Sequence, residues 1–491
     1  MSDTATVELA GAEVAGVPTQ LFIGGSWVDA SDGGSFPVLD PSSGHTLATV
    51  ASASVADALT AVDSAHAALA GWRATAPRVR SEILRRAWEL MMAQHEHLSR
   101  LITIENGKAL PDARSEVSYA AEFFRWFAEE AVRVDGCLHE APSGTNRIMV
   151  LREPIGVSVL ITPWNFPAAM ATRKIGPALA AGCTTILKPA SDTPLTALAI
   201  AQILTEAGVP GGVVNVIPSR RSGALAHAML TDPRVRKLSF TGSTEVGRVL
   251  LAEAAPGVVS CSMELGGNAP FLVLADADLD AAVNGAMVAK MRNGGEACTA
   301  ANRFYVATPV AAEFSKRLAA RMGALRMGSG LDSDVEVGPL INLEAQTKVG
   351  ELVDSALSQG ARALTGGKVP TESGFYYPPT VLVDVPQDAA ILSEEIFGPV
   401  APVVACDTLE EMIKLANTTE YGLVSYVYTS DLATGLRVSE ALETGMVGLN
   451  RPVVSDPAAP FGGVKQSGLG REGGHDGLLE FTESKYIAVQ W

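Results

Sequence analysis

Apolar positions in this chain follow two rhythms, and the change from one to the other divides it. Residues 21–50 alternate over short runs broken by Gly and Asp (LFIGGSWVDA, then DGGSFPVLDPSSG), which predicts short strands joined by turns. From Ser54 the spacing becomes three and four. SVADALTAVDSAHAALAGW, RVRSEILRRAWELMMAQHEHLSRLIT and DARSEVSYAAEFFRWFAEEAVRV are therefore predicted to be long amphipathic helices. Residues 137–153 (CLHEAPSGTNRIMVLRE) read as a hairpin standing apart from them. Beyond it come strand-like runs, IGVSVLIT, CTTILKP, GVVNVIP, VRKLSF and VVSCSMEL, with helices near 167–181, 193–207, 222–230 and 244–253 between them. Such βα alternation predicts a parallel, doubly wound sheet that binds ligands at the carboxyl ends of its strands. A second α/β region runs from about 267 to 463, with strands near 270–274, 303–307, 401–405, 424–428 and 446–450, and the C-terminal SKYIAVQW is one more strand candidate.

Composition narrows the class. At 491 residues the chain exceeds one ordinary core and divides into two or three domains. With 47% apolar and 19% charged residues it is a packed globular protein, and a net charge of −17 argues against nucleic acid or an anionic membrane as partner. Five cysteines (137, 183, 261, 298, 406), odd in number and scattered, fit a reducing compartment, and neither CxxC nor HExxH spacing marks a metal site. The first fifteen or so residues lack the pattern of a signal peptide and read as a mobile tail. No apolar run is long enough to span a membrane, so a cytoplasmic location is expected.

The candidate chemistry lies at strand ends. Cys298, in MRNGGEACTAANRFYV, follows two glycines and an acidic residue and precedes small ones, so a substrate can approach its sulfur closely. TPWNFP (162–167) ends the first strand of the βα region, and its Asn165 is placed to donate to a developing oxyanion. KPAS (188–191) offers Lys188 and Ser191 to a ribose or phosphate. FTGSTEVG (240–247) runs through Gly242 and Ser243 into a helix N-terminus suited to a pyrophosphate. In MELGGNAP, Glu264 is a strand-end carboxylate able to act as general base if desolvated. EEIFGPV (394–400) adds a carboxylate, Glu395, and an aromatic face, Phe397, fit for a ribose and a nicotinamide edge.

These segments, in this order and together with PFGGVKQSGLGREG (460–473), resemble the NAD(P)-dependent aldehyde dehydrogenase superfamily from about Gln20 to the C-terminus. The resemblance implies an α/β, aldehyde-dehydrogenase-like fold. A Rossmann-type cofactor domain (1–136 and 154–266) would accompany an α/β catalytic domain (267–463) and a small β oligomerisation element (137–153 and 464–491), giving a homodimer or homotetramer. It implies that Cys298 attacks an aldehyde, that hydride passes to the nicotinamide, and that Glu264 activates the water that hydrolyses the thioester. Asn165 and the Cys298 N–H would form the oxyanion hole. Trp164, Asn165, Lys188, Ser191, Gly242, Ser243, Leu265, Glu395 and Phe397 would hold the cofactor. The run TRKIGPALAAGCT and the RN before the Gly-Gly are most similar to the succinate-semialdehyde dehydrogenase branch, which implies that Arg173, Arg292 and Ser455 grip a distal carboxylate. A pair of guanidiniums with a hydroxyl is what a buried carboxylate requires. Glutarate semialdehyde or an uncharged aldehyde is the alternative substrate, and a non-catalytic homologue the alternative role.

Three positions depart from the family pattern, and a fourth bears on the cofactor. Glu296 stands where glutamine is common, and either raises the thiol pKa by repulsion or faces away. Ala300 replaces a second cysteine found in some members, so no disulfide lock can form there. Arg451, in RPVVSDPAAP, is expected to add positive charge at the pocket rim. Ser191 lacks the carboxylate that would repel a 2′-phosphate, and with Arg220 or Arg221 reaching that phosphate, NADP is expected to be preferred over NAD.

Overall fold

The computed structural model describes residues 14–371 and 373–490. Most of the tail expected at the N-terminus lies outside the described residues.

Local chemistry sets the helix starts. Ser54 accepts from Asp57 N while the Asp57 carboxylate accepts from Ser54 N, a capping box that opens helix Val55–Ala74. The long helical pattern after it is split in two. Pro77–Ala93 ends at Gln94, where ψ is 17°, and His95–Asn106 sets off afresh. The turn lets Leu84 and Met91 from one piece and Leu98, Leu101 and Ile102 from the other enter a single core cluster. Leu110–Glu130 packs its Phe123, Phe124 and Phe127 into the same cluster.

The expected βα alternation forms an eight-stranded sheet. Its five central strands are parallel, in the spatial order Ser260–Glu264, Val235–Thr241, Val157–Ile161, Thr184–Lys188, Val214–Val216. Antiparallel edges are supplied by Gly468–Leu469 on one side and by Leu21–Ile23 with Ser26–Val28 on the other. Chain order runs outward in both directions from the neighbours Val157–Ile161 and Val235–Thr241. Between their carboxyl ends a crevice opens, the place where such sheets bind ligands.

A seven-stranded sheet follows, in the order Arg362–Thr365, Thr380–Val383, Val400–Cys406, Ala301–Ala307, Ala269–Val273, Val424–Tyr428, Met446–Leu449. It contains the five strands expected from the sequence. The first two were not legible, because TGGK and YYPPT flank short runs with turn signals. The hairpin Cys137–Glu140 and Arg147–Pro154 stands apart as expected, and the C-terminal strand Thr482–Val489 pairs antiparallel with its second strand. No helix among the described residues is long and apolar enough to cross a membrane.

The chain passes from the first sheet to the second through Gly266 and Gly267, against the segment that carries Cys298. A Cβ on Gly267 would lie 2.6 Å from the Cys298 carbonyl oxygen, a backbone atom with little room to yield. Gly267→Ala is therefore expected to overpack this crossing by about 1–3 kcal/mol and to lower the melting temperature by a few degrees. A thermal melt unchanged from that of the parent chain would contradict the close approach.

Candidate active site

The crevice is one cavity of about 590 Å³. The segments after Ile161 and Lys188 bring Trp164, Asn165, Lys188 and Ser191 to its wall, and the turn after Thr241 brings Gly242 and Ser243. Leu265, Glu395 and Phe397 arrive from the crossing and from the second sheet, so all nine residues expected around the cofactor share this cavity. Ser243 caps helix Thr244–Ala254 by accepting from Val246 N, leaving the amides at that N-terminus facing a site suited to an anion. Trp164 and Phe397 meet edge to face, 5.4 Å between centroids. Burial, only partly offset by Asp192, lowers the Lys188 ammonium to about 8. Burial likewise raises Glu395 to about 7, although its carboxylate accepts from Gly267 N at 3.2 Å. Thr241 lines the same wall, and its buried hydroxyl has no hydrogen-bond partner. An aromatic edge, an unpaired hydroxyl, a helix N-terminus and two desolvated ionisable groups together fit a dinucleotide.

Cys298 opens onto this cavity. Helix Leu279–Met291 stops just before it, and Asn293 and Gly294 take positive φ of 57° and 61°, turning the chain back toward the crevice. Burial pushes the thiol up to about 12, with Arg173 and Arg292 pulling down and Glu395 and Glu264 pushing up. Glu264 is also buried, and neither of its carboxylate oxygens has a partner. Burial, reinforced by the Glu472 carboxylate, holds it well above the ordinary range. Glu472 goes the other way. Burial opposes its ionisation, but Arg173 and Lys174 outweigh that and keep it below the ordinary range. The two carboxyls are thus driven apart, Glu264 toward its neutral form and Glu472 toward its ionised one. The Asn165 side-chain amide donates one N–H to the Glu296 carbonyl at 3.0 Å, which leaves the other available. No hydrogen bond among the described residues uses the Cys298 N–H.

The three residues expected to hold a substrate carboxylate separate. Arg292 and Ser455 share a second cavity, of about 660 Å³, with Tyr119 and Asp112. The Arg292 guanidinium lies 5.0 Å from the Phe166 ring centroid, and Phe166 lines the first cavity, so the two cavities share a wall. Arg173 lines neither. It is buried, bonded through Nε to Glu472 and placed 4.1 Å over the Phe461 ring, because a buried cation needs a counter-charge and the REG segment supplies one. One of its terminal nitrogens, Nη2, has no hydrogen-bond partner.

Of the two readings of Glu296, the structure favours the second. Its carboxyl accepts from Ile341 N at 3.1 Å, and burial raises it to about 8 against the nearby Lys108 charge. The side chains that act most on Cys298 are Arg173, Glu395, Glu264 and Arg292 instead. Ala300 leaves Cys298 without a neighbouring thiol at that position, and Cys298 is a free cysteine. The expected phosphate arginines are engaged elsewhere, Arg221 with Asp32 at 2.6 Å and Arg220 over Phe36. Arg451 is exposed and donates to Val453 O. It is absent from the walls of both cavities.

Four polar residues at this centre were not singled out from the sequence: Lys108, Glu116, Asn293 and Glu472. Glu472 sat inside a quoted motif and Asn293 inside the Cys298 segment. Lys108, in the link between two helical runs, and Glu116, inside one of them, carried no signal, since only the fold brings Lys108 to the Asn165 carbonyl and Glu116 to Lys108.

The sequence model of the aldehyde dehydrogenase family matches residues 27–487. A succinate-semialdehyde dehydrogenase of Paenarthrobacter nicotinovorans is 56% identical over 90% of this chain and 98% of its own length. A glutarate-semialdehyde dehydrogenase of Pseudomonas putida is 47% identical over 96% and 97%. The crystal structure of an E. coli NADP dependent enzyme superposes with a TM-score of 0.95 at 47% identity, covering 97% of this chain and 98% of the other.

The Glu296 carboxyl titrates near 8 when folded, against an ordinary value of 4.5. Its contribution to stability is complete below the lower value and is lost as pH rises through the upper one. Glu296→Gln removes that dependence. The melting temperature of the parent chain should fall relative to the variant from about pH 5 to about pH 8 and run parallel above. Melts that stay parallel across the whole range would contradict a buried, protonated Glu296.

Proposed function

The chain belongs to the aldehyde dehydrogenase family, and on that premise we propose that this NAD(P)-dependent oxidoreductase converts succinate semialdehyde to succinate. The observation that carries the proposal is the adjacency of two cavities. One holds the Cys298 thiol among cofactor-type groups, and the next holds Arg292 and Ser455. An aldehyde bound at the sulfur would thus extend its carboxylate toward a guanidinium. An ω-carboxy substrate needs such a cation, since its anion must be paired when desolvated.

The Cys298 sulfur attacks the aldehyde carbon and forms a thiohemiacetal. Its oxygen is held by the free N–H of the Asn165 amide and by the Cys298 backbone N–H. NAD(P), when bound, supplies the acceptor for the hydride that leaves this carbon. Glu264, unpaired and desolvated, takes a proton from water, and the resulting hydroxide cleaves the thioester to release the acid and the thiol. The burial that raises the proton affinity of Glu264 also makes it a stronger base when ionised.

The cofactor is NADP in preference to NAD. Ser191 presents no carboxylate to repel a 2′-phosphate, Lys188 stands beside it on the cavity wall, and the homologous E. coli enzyme is NADP dependent. The protein works in the cytoplasm as a homo-oligomer joined through the three-stranded sheet, on whose strands Leu138 and Tyr486 lie exposed. Glutarate semialdehyde is the second reading, favoured by the Pseudomonas putida relative. One methylene is worth about 10–200-fold in discrimination, so the two substrates are separable by kcat/KM.

Arg292→Ala is expected to lower kcat/KM for succinate semialdehyde by about 10–100-fold, the value of a charge-assisted hydrogen bond, while sparing hexanal. Steady-state kinetics with both aldehydes checks this, and equal losses on both would remove carboxylate recognition from the account. In the same assay NADP should exceed NAD in kcat/KM, and a large preference for NAD would reverse the cofactor assignment.

A further inference from the structure

We propose that Lys108, clamped by Glu116, is a positioning residue for the oxyanion-holding amide of Asn165. This rests on the reading of Asn165 given above.

Lys108 lies between helices His95–Asn106 and Leu110–Glu130, and its side chain is almost wholly enclosed, as is that of Glu116. Its Nζ donates to Glu116 Oε2 at 2.5 Å and to the Asn165 carbonyl at 2.7 Å, and sits 4.3 Å from the Phe166 ring centroid. The other Glu116 oxygen, Oε1, accepts from Ala168 N at 2.9 Å and Ala169 N at 3.3 Å. These are first-turn amides of helix Pro167–Ala181, where a carboxylate is favoured by both the free N–H groups and the helix dipole. Glu116 therefore fixes the start of that helix, and Lys108 ties the fixed point to the residue two positions earlier.

Asn165 is held at both ends. Its carbonyl accepts from Lys108 and also from Asn293 Nδ2 at 3.0 Å, occupying both lone pairs. Its side-chain amide then spans to the Glu296 carbonyl, which Asn293 also reaches at 2.8 Å. Glu296 precedes Cys298 by two residues. The chain of contacts runs from the Lys108–Glu116 pair, through the backbone of Asn165, to the amide that would face the substrate oxygen. Neither Lys108 nor Glu116 lines either cavity, so neither touches substrate or cofactor. A buried ion pair is seldom a net source of stability compared with an apolar pair of similar shape, because desolvating both charges offsets their attraction. Its value here is directional: a single charged donor at a fixed point orients one peptide plane.

The test is a mutant cycle in the full-length enzyme, read by pre-steady-state NADPH formation and by kcat/KM. Lys108→Met with Glu116→Gln removes both charges and leaves no unpaired buried ion. Asn165→Ala removes the donor, and loss of one such donor costs about 10²–10³-fold. If Lys108 acts through Asn165, the double variant loses at least about 10-fold in kcat/KM with the KM for NADP unchanged. Adding the pair of changes to Asn165→Ala then costs less than about 2-fold more. Losses that multiply in the combined variant, or a double variant as active as the parent, would overturn the positioning role and leave the Asn165 reading standing. If Asn165→Ala alone costs nothing, the oxyanion reading falls and the positioning role falls with it. Should the double variant fail to fold, Glu116→Gln alone keeps an acceptor for Ala168 and Ala169 while weakening the clamp, and the same cycle with Asn165→Ala decides between the same outcomes.

Discussion

The hydrogen bond from the Asn165 amide to the Glu296 carbonyl joins two independently built structures, and the site exists only where they meet. On one side is the switch point of a parallel sheet, whose strand ends form most of one wall of the cofactor-type cavity. On the other is a segment that leaves its helix through three residues of positive φ, Asn293, Gly294 and Gly295, and presents a thiol. Gly266 and Gly267 let the chain cross between the sheets close enough for the two to touch, and any Cβ at Gly267 would push them apart. Chemistry at Cys298 is therefore a property of the junction, and small errors there are costly because reacting groups tolerate little misplacement.

Desolvation sets the electrostatics of the same junction. Cys298, Glu264, Glu296 and Glu395 are all pushed toward their neutral forms chiefly by burial. Glu472 is held ionised instead, with two cations on it, Arg173 and Lys174. Buried charge is thus paired at Glu472 and at the Lys108–Glu116 contact. Preorganised donors act best where charge develops in such a desolvated site.

Much of this was legible in the sequence, and the limits have physical causes. Strand-end residues were readable because sheet topology fixes where ligands go, so Asn165, Lys188, Gly242 and Glu264 could be placed before any fold was seen. Helix ends were less so. Nothing in the periodicity from Arg78 to Thr103 shows that Gln94 turns the chain, because an amphipathic stripe continues through the break. Side-chain pairing was least readable. Arg173 has the residue type for a substrate clamp, yet Glu472 lies 299 positions away in sequence and claims one face of its guanidinium. Arg221 was likewise claimed by Asp32, 189 positions away. For Glu296 the sequence offered two orientations, and only the Ile341 amide opposite it chooses between them.

Turnover by this route passes through a covalent intermediate at Cys298 that needs Glu264 for release. Intact-mass and peptide-mass spectrometry of Glu264→Gln, quenched after mixing with succinate semialdehyde and NADP, tests it most directly. The prediction is a stable succinyl adduct on the peptide carrying Cys298, formed with a single burst of NADPH and little turnover afterwards. Steady turnover at the parent rate without an adduct, or an adduct on another residue, would contradict it.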